Sequence, residues 1–225
     1  PRFSPDSARM LYAGKKGEKQ CLIADGREVG CFDAVGQEYM GFSKDSSRWA
    51  VVAVKKKKQV VVVDGKESEA YDKVTPPLFS PDHRRIAYTA SRAGKWMMVA
   101  DGREGTAYDA TGVFVFSPDS QHLHYAVQKG DKWRIMMDDK ESQAAYDGVG
   151  LPVFSPDGKH LSQVVVRGEK WFMITDGREG AAWDEIFVLS YSADSKRVAY
   201  NTRKGKQRFM VVDGQTAGPY DVASM

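Results

Sequence analysis

Serine, histidine and aspartate all occur in this 225-residue chain, so nucleophilic catalysis is the first chemistry to test. Ser4, Ser43, Ser80, Ser117, Ser155 and Ser192 each stand two positions before an aspartate, apart from Ala193 and Lys44 usually with a proline between. A nucleophile is needed once, whereas a residue recurring at this regular spacing serves a turn. There is no Gly-x-Ser-x-Gly elbow, no Gly-x-x-x-x-Gly-Lys phosphate loop and no His-Glu-x-x-His pair. No catalytic residue is assigned, and the chain is expected to be non-enzymatic.

The four histidines are the next candidates: His83, His122, His124 and His160. His122 and His124 are two apart on one predicted strand, hence on one side, and His160 repeats the position of His122. No cysteine or carboxylate completes a metal set at ligand spacing. They are therefore expected to be solvated strand-edge residues, with no metal and no cofactor. An aromatic-Asp pair also recurs, expected to end a fourth strand in each unit, at Phe32-Asp33, Tyr71-Asp72, Tyr108-Asp109, Tyr146-Asp147, Trp183-Asp184 and Tyr220-Asp221. The aspartate is expected to fasten the returning chain while the ring packs between neighbouring sheets. Lys95-Trp96, Lys132-Trp133 and Lys170-Trp171 could stack on bases or sugars, but packing of the indole is the preferred reading. Cys21 and Cys31 flank a predicted turn at Asp25-Gly26. Register decides whether they face each other. Two buried, inert thiols are the expectation, with a bridge as the alternative.

These residues all belong to a repeat. The phrase aromatic-Ser-x-Asp opens at Phe3, Phe42, Phe79, Phe116, Phe154 and Tyr191, at intervals of 39, 37, 37, 38 and 37 residues. Each unit continues with an alternating apolar strand, a basic loop, a second apolar strand and an Asp-Gly turn, which is a strong hairpin signal. Asp138-Asp139 replaces Asp-Gly in the fourth unit, which also has one extra residue before its aromatic, so a distorted or longer turn is expected there. Four hairpin-linked strands repeated six times predict an all-β, six-bladed β-propeller with four antiparallel strands per blade, spanning 1–225 as one domain. The last unit lacks the residues that Pro1 and Arg2 would supply, so the ring is expected to close where Pro1 to Phe3 meet Val222 to Met225. The start at Pro1 reads as that of an excised or processed segment.

Phe154-Ser155-Pro156-Asp157-Gly158 resembles the signature of the TolB-type, WD40-like propeller repeats, and the other five units vary it at one to three positions. The resemblance covers the whole chain. It implies the propeller fold and an extracytoplasmic, periplasmic setting, but such propellers serve both as partner-binding platforms and as domains attached to peptidases.

Charge adds a functional expectation. Net charge is only +3, too mild by itself to favour nucleic acid, and no apolar run is long enough to insert in a membrane. The bases are unevenly placed, however. Loops between the second and third strands carry Lys15, Lys16, Lys19, Lys55, Lys56, Lys57, Lys58, Arg92, Lys95, Lys129, Lys132, Arg167, Lys170, Arg203, Lys204, Lys206 and Arg208. Only Glu18, Asp131 and Glu169 oppose them locally. All of these bases except Lys19 are taken as the candidate contact set for an anionic ligand or a protein partner, concentrated at Lys55 to Lys58 and Arg203 to Arg208. The chain is thus expected to be a monomeric binding scaffold. The alternatives are a propeller domain from a larger hydrolase or peptidase, or an engineered propeller with no natural ligand.

Overall fold

The computed structural model describes residues 1–221, with the backbone alone described at Gln37 and Glu38. The expected meeting of Pro1 to Phe3 with Val222 to Met225 lies outside the described residues. Among those described, every regular element is a strand, and no helix is present that could cross a membrane. The strands form six separate antiparallel sheets in chain order. Blade one comprises Arg2–Phe3, Met10–Lys16, Lys19–Ala24 and Arg27–Phe32. Blade two comprises Ala34–Phe42, Trp49–Lys55, Lys58–Val63 and Lys66–Glu67. In blade three the first strand is split into Lys73–Val74 and Leu78–Phe79, followed by Ile86–Arg92, Lys95–Ala100 and Arg103–Glu104. The split falls at Pro76-Pro77, which cannot donate to the ladder. Blade four has Ala110–Phe116, Leu123–Lys129, Lys132–Met137 and Lys140–Glu141. Blade five has Gly148–Phe154, Leu161–Arg167, Lys170–Thr175 and Arg178–Trp183; blade six has Glu185–Tyr191, Val198–Lys204, Gln207–Val212 and Gln215–Tyr220. The chain packs as two compact units, 1–111 and 112–225.

Period-two alternation explains the apolar runs. In the second and third strands of blade two, Val51, Ala53, Val60 and Val62 pack with Leu11, Leu22 and Phe32 of blade one. Their neighbours Val52 and Val61 point the other way, onto Tyr71, Tyr88, Met97 and Val99. Both faces of the sheet are therefore buried, which requires continuous rather than alternating hydrophobicity. In the second unit Tyr146, Val165 and Ile174 join blades four and five, and Met173, Trp183, Ile186, Tyr200 and Val211 join blades five and six. The repeat aromatics Phe32, Tyr71, Tyr146 and Trp183 thus pack between sheets, as expected.

Three expectations need correction. The fourth strand runs through to the aromatic only in blades one, five and six. In blades two to four it ends after two residues, and Tyr71, Tyr108 and Tyr146 touch the sheet again only through single bridges to Gln59, Trp96 and Trp133. The intervening residues are polar or small, and Ser68 Oγ and Ser142 Oγ accept from the Val61 and Ile135 amides in place of a strand partner. The turn at Asp138-Asp139 is altered but not longer: Met137 pairs with Lys140 and Asp138 keeps φ 53°, yet Asp139 lacks the positive φ of the glycines at the matching positions. The extra residue falls after that hairpin, before Tyr146. Finally, Cys21 and Cys31 form a disulfide, with Cα atoms 3.9 Å apart. A regular two-residue turn would set Cys21 opposite Gly30, but a bulge between Leu22 and Ile23 shifts the register by one and brings Cys31 across.

Candidate functional site

The six repeat serines are committed to their turns. Each Oγ donates to the carboxylate two residues on, at 2.5–2.7 Å, and accepts the amide five residues on, at 2.9–3.0 Å. The same aspartates accept a second amide, and Asp6, Asp45, Asp119, Asp157 and Asp194 are held below the usual carboxylate range, first by the serine hydroxyl. These are closed structural knots.

The hairpin aspartates have a second partner that the sequence reading missed. Asp25, Asp64, Asp101, Asp138, Asp176 and Asp213 each accept a strand amide through Oδ1 at 2.8–2.9 Å. Through Oδ2 they pair with Arg9, Arg48, Arg85, His122, His160 and Arg197 at 2.8–3.0 Å. A base always five residues after the repeat serine was the available signal.

This resolves three histidines and isolates the fourth. His122 and His160 are exposed and stand in for arginine. His83 is half-buried, with Nδ1 3.3 Å from Asp45 of the preceding blade. His124 overturns the expectation of solvated residues: it is 1% exposed and does not share the partner of His122. Its Nε2 lies 2.9 Å from Gln163 Oε1.

The aromatic-Asp aspartates link hairpin tips. In blades one to five they pair with the lysine opening the third strand of their own blade: Lys19–Asp33, Lys58–Asp72, Lys95–Asp109, Lys132–Asp147 and Lys170–Asp184. The other oxygen of Asp33, Asp72, Asp147 and Asp184 accepts the amide of Lys56, Ala93, Gly168 and Gly205 in the next blade, at 2.6–2.8 Å. These four carboxyls are held below the usual range, chiefly by the lysine. The basic loops and the strand-four returns therefore share one end of each blade.

Several candidate bases are consequently neutralised. Beyond the lysines just named, Lys16 lies 3.7 Å from Glu28 and Lys55 2.7 Å from Glu67. Arg92 grips Glu104 and Arg167 grips Glu179, each with both terminal nitrogens, and Arg203 pairs with Glu185. Among the described residues no carboxylate pairs with the side chains of Lys15, Lys56, Lys57, Lys129, Lys204 or Lys206, all exposed, while Arg208, also exposed, bears on Glu185 through its charge. Arg208 also lies over the Phe187 ring, 5.6 Å from its centroid. The unpaired charge thus falls at the tips of blades two and six, with single lysines on blades one and four. Trp96, Trp133 and Trp171 are half-buried, Trp171 against the core of blades five and six.

The second-strand to third-strand turn of blade two is unusual. Lys56 and Lys57 both have positive φ, 52° and 65°, whereas the matching turn of blade three uses Ala93-Gly94. A lysine in this region costs about 1 kcal/mol relative to glycine.

No family model matches the chain, and no curated protein matches it. Among solved structures it is similar to TolB from Acinetobacter baumannii, at 17% identity over 92% of this chain with a TM-score of 0.41; it spans 61% of the TolB chain. It is similar to the β-propeller domain of the Trilobed protease from Pyrococcus furiosus, at 13% identity and TM-score 0.38, over 98% of this chain and 81% of that one. It is also similar to the Pyrococcus horikoshii acylaminoacyl peptidase, at 14% identity and TM-score 0.42, over 96% of this chain and 44% of that one. Six antiparallel sheets in chain order, each with the same Ser-x-Asp turn after its first strand, give the chain a β-propeller fold.

Proposed function

We propose that the chain is a non-catalytic binding scaffold that presents its hairpin-tip lysines to an anionic partner, an acidic segment of another protein. The observation that carries this reading is the pair Lys56 and Lys57. Both are exposed, neither ammonium has a carboxylate partner among the described residues, and both hold a left-handed conformation that a glycine would adopt without cost, their amides turned to Asp33. Strain held at non-glycine residues supports a functional reading of the pair. The neighbouring bases Lys55 and Lys58 are tied to Glu67 and Asp72, so the loop offers a fixed pair of free charges.

The test is retention on a heparin resin. Retention that weakens as salt rises and is halved or more by K56A/K57A supports the reading. Passage through the resin at low salt, or retention indifferent to that double substitution, overturns it.

A further inference from the structure

Among the described residues, one group of cysteine and acidic side chains brings its ligand atoms to metal-binding distance. Cys21, Glu28 and Cys31 each offer one such atom, all within 4.8 Å of one another. A single bulge assembles them. Residues three apart on a regular strand face opposite sides of the sheet. Here Gly30 lies opposite Leu22 and Glu28 opposite Ile23, so Val29 drops out of the ladder. Glu28 therefore comes to the face that carries the cross-strand pair Cys21 and Cys31, and its Oε1 lies 3.5 Å from the Cys31 sulfur.

The repeat does not call for the two cysteines. The position of Cys21 holds Val60, Met97, Arg134, Phe172 and Phe209 in the other blades, and that of Cys31 holds Ala70, Ala107, Ala145, Ala182 and Pro219. Glutamate does recur at the position of Glu28. In blades two, three and five, however, Lys55, Arg92 and Arg167 grip Glu67, Glu104 and Glu179 at 2.7–3.2 Å. In blade one Lys16 stays 3.7 Å from Glu28, a looser hold that leaves the exposed carboxylate free to turn to another cation.

We propose that Cys21, Cys31 and Glu28 form a site for one thiophilic divalent cation of the zinc class, closed by the disulfide and opened by a dithiol reductant. A thiolate of the reductant attacks the exposed Cys31 sulfur, the S–S bond breaks and Cys21 leaves as a thiolate. The reductant's second thiol then displaces Cys31, so the reductant departs as a disulfide and its two protons pass to the cysteines. Metal binding releases those two protons, because the ligands are thiolates. In a tetrahedral zinc site a sulfur and a carboxylate oxygen stand about 3.5 Å apart, and two sulfurs about 3.8 Å. The first spacing already holds between Cys31 and Glu28, and a turn of the freed Cys31 side chain about χ1 sets the second. Water takes the fourth position, and the two thiolates select zinc over magnesium or calcium.

The test uses the protein reduced with a water-soluble phosphine, which takes an oxygen from water and adds no competing thiol. Co²⁺ is the spectroscopic probe and Zn²⁺ its competitor. Circular dichroism should show the reduced chain folded. One Co²⁺ per chain should raise a thiolate-to-cobalt charge-transfer band together with the intense visible bands of a tetrahedral ion, and Zn²⁺ should bleach both. The oxidised protein should show neither. Zn²⁺ should raise the melting temperature of the reduced protein and leave that of the oxidised protein unchanged. Glu28→Gln should keep the fold and the disulfide, yet weaken Zn²⁺ binding at least tenfold after reduction. A reduced chain that unfolds, absence of the charge-transfer band, the same bands in oxidised protein, or an unchanged zinc affinity in Glu28→Gln would each overturn the proposal.

Discussion

His160 Nδ1 sits 2.8 Å from Asp176 Oδ2, in the place where Arg9 holds Asp25 and Arg48 holds Asp64. The guanidinium groups do more than the imidazole does. Arg9 Nη1 also donates to the carbonyls of Ser46 and Ser47, and Arg48 Nη1 to those of His83 and Arg84. Each arginine thereby ties its own hairpin to the first turn of the next blade. Imidazole has two nitrogens on a short stem and holds only the aspartate.

Restoring arginine should add those bonds. His160→Arg is expected to stabilise the protein by about 1 kcal/mol, since the turn of Ser195 and Lys196 occupies in blade six the place of Ser46 and Ser47 in blade two. The urea midpoint at pH 7 measures it. An unchanged midpoint would mean that the bonds of Arg9 and Arg48 add nothing to stability.

The carboxyls of Asp33, Asp72, Asp147 and Asp184 give a pH dependence with a definite sign. Their folded pKa values are lowered by lysine and backbone donors, whereas unfolded aspartates titrate near about 3.9. The stabilisation is complete above the unfolded value and is lost as pH falls through the folded values. Stability should therefore drop steeply below about pH 4, and Asp147→Asn should flatten that drop. Urea unfolding followed from neutral to acid pH decides it; a variant with the slope of the parent protein would show that the Lys132–Asp147–Gly168 link carries no such contribution.

What was legible in the sequence follows the repeat. Strand order and the Ser-x-Asp turns recur in every unit, so one unit's logic could be checked against five others, and the repeat aromatic packs between sheets at Phe32, Tyr71, Tyr146 and Trp183 but is exposed at Tyr220. What recurs less simply was lost. The Cys21–Cys31 pairing depends on one bulge, which shifts the register by a residue and has no signature beyond Gly30. The ion pairs of Arg92 with Glu104 and of Arg167 with Glu179 join residues 12 apart, on strands whose lateral spacing the pattern does not specify. His124 was misplaced because its strand was treated as having a solvent face, whereas sheets packed on both sides have none.

The disulfide closes a ten-residue separation across the blade-one hairpin, with Cys21 buried and Cys31 exposed. Cys31→Ser should cost about 2 kcal/mol through the freed unfolded chain. The oxidised parent should yield no reactive thiol on denaturation, and two after reduction. Two thiols without reductant would remove the bridge from the account.

Lys57→Gly sets stability against binding. Glycine suits φ 65° and should relieve the strain there, offset in part by the greater freedom of the unfolded chain, for a net gain of about 0.5 kcal/mol. Unlike the lysine it replaces, glycine offers no charge, so heparin retention should weaken in the same variant. Lys57→Ala separates the two effects, since alanine removes the charge and keeps the strain. If Lys57→Gly gains stability and Lys57→Ala does not, while both lose retention, the strained loop is held for its charge. Should retention survive in both, the left-handed lysine is a tolerated turn residue and the basic tip of blade two is not the contact surface.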